Sequence, residues 1–155
     1  GQYEPCSGCL CAACIAGQYQ PLAGFTGDSC TECDPGTYAG DTASASCTPC
    51  AAGTSAANPG KTVCASCSAG KYSVGTGNTG CTSCAAGTYS PESGATSTST
   101  CVDCAADTYS ATDASTACTP CADSTTSSAG SSFCAGGLSP TPEPVSNGCP
   151  AGQYE

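Results

Sequence analysis

The feature that most constrains this chain is a regular series of Cys-x-x-Cys pairs. Seven pairs form this series, and their first cysteines are separated by 19, 17, 17, 17, 20 and 17 residues. Two single cysteines, Cys134 and Cys149, continue the series. A fixed period of this length is typical of proteins built from tandem structural units. The seven units begin at Cys11, Cys30, Cys47, Cys64, Cys81, Cys101 and Cys118.

These spacings predict the domain organisation. Residues 1–10 are expected to be the end of a preceding repeat or a junction, and 11–133 to form seven tandem repeats. Residues 134–148 are rich in Pro, Ser and Thr and are expected to form a linker-like repeat. Residues 149–155 are expected to start a further repeat.

The composition indicates how such a chain can be stable. It has 18 cysteines among 155 residues, but only two phenylalanines, no tryptophan and no methionine. Ordering a residue costs roughly 1.5 kcal/mol, and a chain this poor in large apolar side chains cannot recover that by burial. A disulfide that closes a loop of about 15 residues contributes ~3 kcal/mol. We therefore expect a disulfide scaffold, which requires an oxidising compartment outside the cell or in the secretory route.

Charge and hydropathy exclude two classes of partner. The net charge is −10, Lys61 and Lys71 are the only basic residues, and histidine is absent. Binding to nucleic acid depends on basic residues that displace phosphate counterions, so no nucleic-acid partner is expected. No run of 18 apolar residues occurs, so no membrane span is expected either.

The tyrosines confirm the phase of the repeat. All seven lie in the frame Gly/Asp-x-Tyr, and one tyrosine per repeat suggests that each ring covers a disulfide or the next repeat. The glycine of this frame suits a backbone that needs a positive φ or close approach. Short two-stranded ribbons are predicted around these segments, with almost no helix, because Gly, Pro, Ser, Thr and Asp fill the intervals. The tyrosines are Tyr3, Tyr19, Tyr38, Tyr72, Tyr89, Tyr109 and Tyr154.

The repeating motif resembles a known group of modules. Cys-x-x-Gly-x-Tyr, with another Cys 13 to 19 residues after its first residue, is similar to ephrin-receptor-like and tumour-necrosis-factor-receptor-like cysteine-rich repeats. The blocks CTPCAAGTSAANPGKTVC and CTSCAAGTYSPESGATSTSTC carry the likeness most clearly, and it covers residues 11–134. The Ala/Thr/Ser-rich spacing resembles that of algal mastigoneme proteins and ciliate surface antigens.

In such repeats the second Cys of a pair bridges to the first Cys of the next. The resemblance therefore implies Cys14–Cys30, Cys33–Cys47, Cys50–Cys64, Cys67–Cys81, Cys84–Cys101, Cys104–Cys118 and Cys121–Cys134. Cys6, Cys9, Cys11 and Cys149 depart from the pattern, and their pairing stays open. The expected fold is a small disulfide-rich repeat protein, an elongated rod or solenoid of short β-ribbons and turns in which contacts stay between neighbouring repeats.

Metal binding and redox catalysis are alternative roles for the cysteines and acidic residues. Two successive pairs, Cys30/Cys33 and Cys47/Cys50, approximate the spacing of a four-cysteine zinc ribbon, but zinc does not explain the single Cys134 and Cys149. Redox catalysis requires one reactive pair in a βαβ setting. No cofactor, metal or catalytic residue is expected, because histidine is absent and the acids are scattered, although a Ca²⁺ site is an alternative to solvated surface charge. The acids concerned are Asp34, Asp41, Asp103, Asp107, Asp113 and Asp123.

Serine and threonine together number 43, and no Asn-x-Ser/Thr sequon is present. O-linked rather than N-linked glycans are therefore expected, in an extended mucin-like segment. An unmodified spacer is the alternative. The candidate positions are Ser139, Pro140, Thr141, Pro142 and Pro144.

Both ends of the sequence read Gly-Gln-Tyr-Glu, so copies joined end to end would overlap with a period of 151 residues, from Gly1 to Gly152. This suggests a piece of a longer array, although Gly17-Gln18-Tyr19 shows that the local motif alone produces three of the four letters.

Two functions follow as expectations. The first is a structural subunit of an extracellular, glycosylated filament or cell-surface coat of the mastigoneme kind, with copies of itself or a glycan-rich chain as partners. The second is a receptor or surface-antigen ectodomain whose repeats act as a stalk or bind a protein ligand. An enzyme is not expected.

Overall fold

The structure is a computed structural model that describes residues 13–21 and 30–136. Within these ranges it consists of twelve two-residue strands and one short 3-10 helix. The strands are β1 Gln18–Tyr19, β2 Thr31–Glu32, β3 Thr37–Tyr38, β4 Thr48–Pro49, β5 Thr54–Ser55, β6 Ala65–Ser66, β7 Lys71–Tyr72, β8 Thr82–Ser83, β9 Thr88–Tyr89, β10 Val102–Asp103, β11 Thr108–Tyr109 and β12 Thr119–Pro120, and the helix is Thr98–Thr100.

The strands pair in sequence order as six separate antiparallel ribbons. Each ribbon joins the Tyr-containing segment of one repeat, or its equivalent, to the Cys-x-x-Cys segment of the next, so that Tyr38 lies opposite Thr48 and Tyr72 opposite Thr82. The predicted class is confirmed: the described chain is a disulfide-rich protein of short β-ribbons with almost no helix.

Seven disulfides join successive repeats, and they are the seven pairs that the resemblance implies. The sequence separation within a bridge is 13 to 17 residues. The bridges are Cys14–Cys30, Cys33–Cys47, Cys50–Cys64, Cys67–Cys81, Cys84–Cys101, Cys104–Cys118 and Cys121–Cys134. The remaining cysteines, Cys6, Cys9, Cys11 and Cys149, lie outside the described residues.

Backbone hydrogen bonds repeat at every junction between described repeats. At one junction, Gly53 donates its N–H to the carbonyl of Ser73 at 3.0 Å, and Cys67 donates to the carbonyl of Gly53 at 2.8 Å. At the same junction Gly77 donates to the carbonyl of Cys50 at 2.8 Å. The equivalent bonds recur at the other junctions, with donor–acceptor distances between 2.7 and 3.0 Å. A continuous backbone ladder therefore runs along the series of bridges.

The glycine three residues after the second Cys of a pair is here called the frame glycine. A glycine is needed at this position because the backbone of another repeat lies against it. At Gly53 φ is +78°, and a Cβ would overlap the carbonyl oxygen of Gly94, which lies two repeats further on. Gly17 stands in the same relation to Gly60, and Gly87 to Gly130. The expectation that contacts stay between neighbouring repeats was therefore wrong, because a residue without a side chain admits a carbonyl from the next repeat but one.

Two repeats lack the frame glycine but keep its backbone conformation. Asp107 and Ser124 occupy the position with φ values of +63° and +65°. Aspartate is one of the residues that adopt this left-handed conformation most readily.

One longer repeat shows where extra residues are accommodated. Gly94 lies seven residues before Cys101, whereas Gly60 lies four residues before Cys64. The additional residues form the 3-10 helix, and Ser97 caps it by accepting the N–H of Ser99 at 3.2 Å. The ladder bond from the Gly94 N–H to the carbonyl of Cys67 is retained at 2.7 Å, so the insertion lies outside the repeating contacts.

Three glycine substitutions distinguish the stability cost of a steric clash from the cost of a left-handed backbone conformation. Gly77 has a φ of +78° but open space where a Cβ would lie, and Gly80 has neither constraint. We expect Gly80→Ala to leave stability unchanged and Gly77→Ala to cost about 1 kcal/mol, the lower end of the penalty for a left-handed residue. Gly53→Ala should cost a further 1 to 3 kcal/mol, roughly, because the backbone must move away from the Gly94 carbonyl.

Denaturant unfolding with the disulfides intact measures these differences. If Gly53→Ala proves no more destabilising than Gly77→Ala, the contact between a repeat and the next but one makes no contribution to stability.

Candidate functional site

The buried residues of the described chain are disulfide-bonded cysteines and very small side chains. The second Cys of a pair is the buried member: Cys33, Cys50 and Cys67 are each 0 % exposed. The other buried residues are alanines, serines and further second cysteines, and no large side chain is among them. They are Cys14, Ala39, Ala56, Ser73, Cys84, Ser90, Ala95, Cys104 and Ser110.

The position six residues after the second Cys shows why small side chains are needed there. Ala39, Ala56, Ser73, Ser90 and Ser110 occupy it, and each is at most 3 % exposed. Their backbone carbonyls accept the ladder bonds from the frame position of the preceding repeat. A larger side chain would separate the two backbones, and so the repeats hold each other through main chain and sulfur rather than through a packed apolar core.

The buried serines differ in how their hydroxyl groups are satisfied. Ser73 donates to the carbonyl of Thr54 and Ser110 to that of Thr112, both at 3.2 Å. The hydroxyl of Ser90 makes no hydrogen bond with any described residue, although Ser90 is 0 % exposed. Burying an unsatisfied hydroxyl is unfavourable.

A concave surface lies beside the ring of Tyr38, near the junction of the repeats that begin at Cys30 and Cys47. The ring of Tyr38 is half-buried and borders a cavity of about 310 Å³, here called the Tyr38 cavity. The side chain of Val63 on its rim is 67 % exposed. The cavity also reaches Cys64, one half of the Cys50–Cys64 bridge. Its lining consists of Tyr38, Thr48, Pro49, Ala51, Thr54, Val63 and Cys64.

Sequence reasoning did not identify this cavity. Its lining comes from residues 26 positions apart, from Tyr38 to Cys64, and none of them belongs to a known ligand motif. The one available signal was the exposed Val63 immediately before a cysteine, where the preceding repeat has Ser46.

The acids that could have formed a Ca²⁺ site do not converge. No group of three or more His, Cys, Asp or Glu side chains that could hold a metal ion is present in residues 13–21 and 30–136. Asp113 has a structural partner instead, since its carboxylate accepts the N–H of Ala86 at 3.0 Å. The 14 described cysteines are in disulfides, so their sulfurs are not thiolates, the form that binds zinc.

The predicted glycan positions, Ser139, Pro140, Thr141, Pro142 and Pro144, lie outside the described residues. The same is true of the linker-like repeat 134–148 beyond residue 136 and of segment 149–155. In the part of the chain that the structure covers, no helix is long and apolar enough to cross a membrane.

Comparison with known proteins adds no relative. No protein-family model matches the sequence, and no curated protein matches it. The seven disulfides indicate a protein of an oxidising compartment, which is the secretory route or the outside of the cell.

Substituting the unsatisfied buried serine provides a direct test of the core. We expect Ser90→Ala to raise the free energy of unfolding by about 1 kcal/mol, because it removes a hydroxyl whose burial is uncompensated. Alanine already occupies the equivalent position at Ala39 and Ala56.

The matched control is Ser73→Ala, which removes a bonded hydroxyl and should lower stability by about 1 kcal/mol. Unfolding curves for the two variants should therefore shift in opposite directions. A loss of stability in Ser90→Ala would show that its hydroxyl has a partner that the structure does not include.

Proposed function

We propose that this chain is a structural subunit of an extracellular filament or cell-surface coat, of the kind suggested by its resemblance to mastigoneme proteins. The observation that carries the proposal is the repeating junction. Each repeat is joined to the next by one disulfide and a set of main-chain hydrogen bonds, as between Cys50–Cys64 and the bonds of Gly53. Such a unit extends by adding copies of itself, and its stability does not depend on a large apolar core.

The shape that follows from this proposal is an elongated rod. The contacts of the frame glycines in the described residues reach the next repeat but one, as from Gly17 to Gly60, so in this proposal successive repeats add length rather than closing on one another. Each disulfide closes a loop of 13 to 17 residues. If the hydrogen bonds of one junction break, the bridge still limits how far the chain can extend there, and the rod stays intact.

The surface supports a role outside the cell. Eight acidic residues and two lysines lie in the described ranges, and this excess of one sign favours solubility and opposes non-specific aggregation. O-linked glycans on Ser139 and Thr141 are part of the proposal, and they would add a hydrated layer to the filament. In this account the chain positions and protects other components and catalyses no reaction.

Imaging of native material tests this function. Filaments or coats isolated from cells that make this chain should carry an antibody against residues 30–136 at a regular axial spacing in negative-stain electron micrographs. Label found only on dispersed single molecules would contradict the filament and favour the alternative, an ectodomain that binds a protein ligand.

A further inference from the structure

The seven disulfides divide the described part of the chain into loops and links. Each bridge closes a loop, with a sequence separation of 13 to 17 residues between its two cysteines. Successive loops are joined covalently by the Cys-x-x-Cys segment of a pair, here called a link. A force applied to the two ends of the series can therefore pass from one link to the next either through the loop or directly across the bridge.

The lengths of these two paths determine which of them carries the load. The Cα atoms of two bridged cysteines are 5.5 to 5.7 Å apart, whereas the loop between them can extend to about 45 to 60 Å at ~3.6 Å per residue. The bridge is therefore taut while the loop is still slack. The path through seven bridges and six links is here called the bridge route. From Cys14 to Cys134 it is limited to about 100 Å, against roughly 430 Å for the same residues without bridges.

The links are uniform in length and the loops are not. In each of the six described links, the two residues between the cysteines form a β-strand, and neither of them is glycine. A strand rises about 3.3 Å per residue, close to the ~3.6 Å of a fully extended chain, so a link has little length to gain under tension. The frame glycines and the inserted helix Thr98–Thr100 lie in the loops. The insertion therefore does not lengthen the bridge route.

We propose that the chain is a tension-bearing element whose load passes along the bridge route and bypasses the loops. Both lysines and the described tyrosines lie in the loops, so cutting or lengthening a loop leaves the load-bearing path unchanged. The tension itself would come from the proposed filament, on which this inference rests, whereas the bridge route is a property of the single chain.

Trypsin provides a first test, because Lys61 and Lys71 are its only cleavage sites and lie in two different loops. Cleavage at both gives the fragments 1–61, 62–71 and 72–155. Cys50–Cys64 and Cys67–Cys81 should hold these fragments together. Digestion in moderate urea, after alkylation of free thiols, opens the backbone hydrogen bonds and leaves the disulfides intact. The product should have the mass of the intact chain plus two water molecules, and dithiothreitol should separate it into its three fragments.

Single-molecule force spectroscopy, with double-stranded DNA handles at the two ends of the chain, measures the load directly. The uncut chain and the trypsin-cleaved chain should hold the same force and reach the same maximal length. Dithiothreitol should then lengthen the uncut chain in up to seven steps of about 40 to 55 Å, a total gain of roughly 330 Å, and should break the cleaved chain. Cysteines outside the described residues are replaced by serine so that no other bridge alters the route. They are Cys6, Cys9, Cys11 and Cys149.

Two double variants that each lack one bridge form a matched pair. Cys50→Ser/Cys64→Ser removes the bridge around Lys61, so trypsin should divide this variant in two without a thiol. Cys121→Ser/Cys134→Ser removes a bridge whose loop contains no lysine, so this variant should stay joined after trypsin. Each change should lengthen the uncut, oxidised chain by about 40 to 45 Å. An assay for free thiols verifies that the six other described bridges have formed.

Three results would overturn the bridge route: fragments that separate without a thiol, a cleaved chain that breaks at a force the uncut chain withstands, or thiol-dependent steps of only about 5 Å, as bridges within the pairs would give. These results leave the filament proposal standing, because that proposal is tested by the axial spacing in native material. Native material without filaments would reject the function and retain the bridge route of the single chain.

Discussion

The disulfide from the second Cys of one pair to the first Cys of the next is the constraint on which this structure depends. It returns the chain after 13 to 17 residues, so that the following pair lies beside the frame glycine. The second Cys can then donate its N–H to that glycine, as Cys67 does to Gly53. The bridge also replaces a core, since the buried residues around it are alanines and serines. In a chain without tryptophan or methionine, cross-linking limits the unfolded ensemble where burial could not compensate for the lost entropy.

The frame glycine determines how the bridged repeats stack. Because Gly53 has no side chain, the carbonyl of Gly94 occupies the place of a Cβ, and each described repeat that has a frame glycine contacts the next two. Contacts of this range couple opening of one repeat to its neighbours more strongly than a nearest-neighbour array would. The insertion that contains the helix Thr98–Thr100 lies outside these contacts. The number of residues that precede the first Cys of a pair can therefore vary while the backbone hydrogen bonds between repeats are retained.

Much of this fold could be predicted from the sequence, because its signals are side chains of unusual chemistry at fixed spacing. Cysteine spacing indicates the repeats, and the Gly-x-Tyr frame indicates the ribbons that the structure places at Tyr38 and Tyr72. The stacking across two repeats was missed because its signal is the absence of a side chain. The Tyr38 cavity was missed because concavity arises from chain segments that only the fold brings together. Glycan positions such as Ser139 stay a prediction, since they lie outside the described residues.

Disulfide mapping of the unreduced protein tests the central claim most directly. Cleavage after Asp and Glu separates the cysteines of two pairs, because Glu32 lies between Cys30 and Cys33, and Asp103 between Cys101 and Cys104. We expect that peptide 29–32 stays joined to 1–28, that 33–41 stays joined to 42–92, and that 104–107 stays joined to 114–123, because the bonds before Pro5 and Pro35 are not cleaved. A disulfide that joins 29–32 to 33–41, or 93–103 to 104–107, would place the bridge within a pair and contradict this structure.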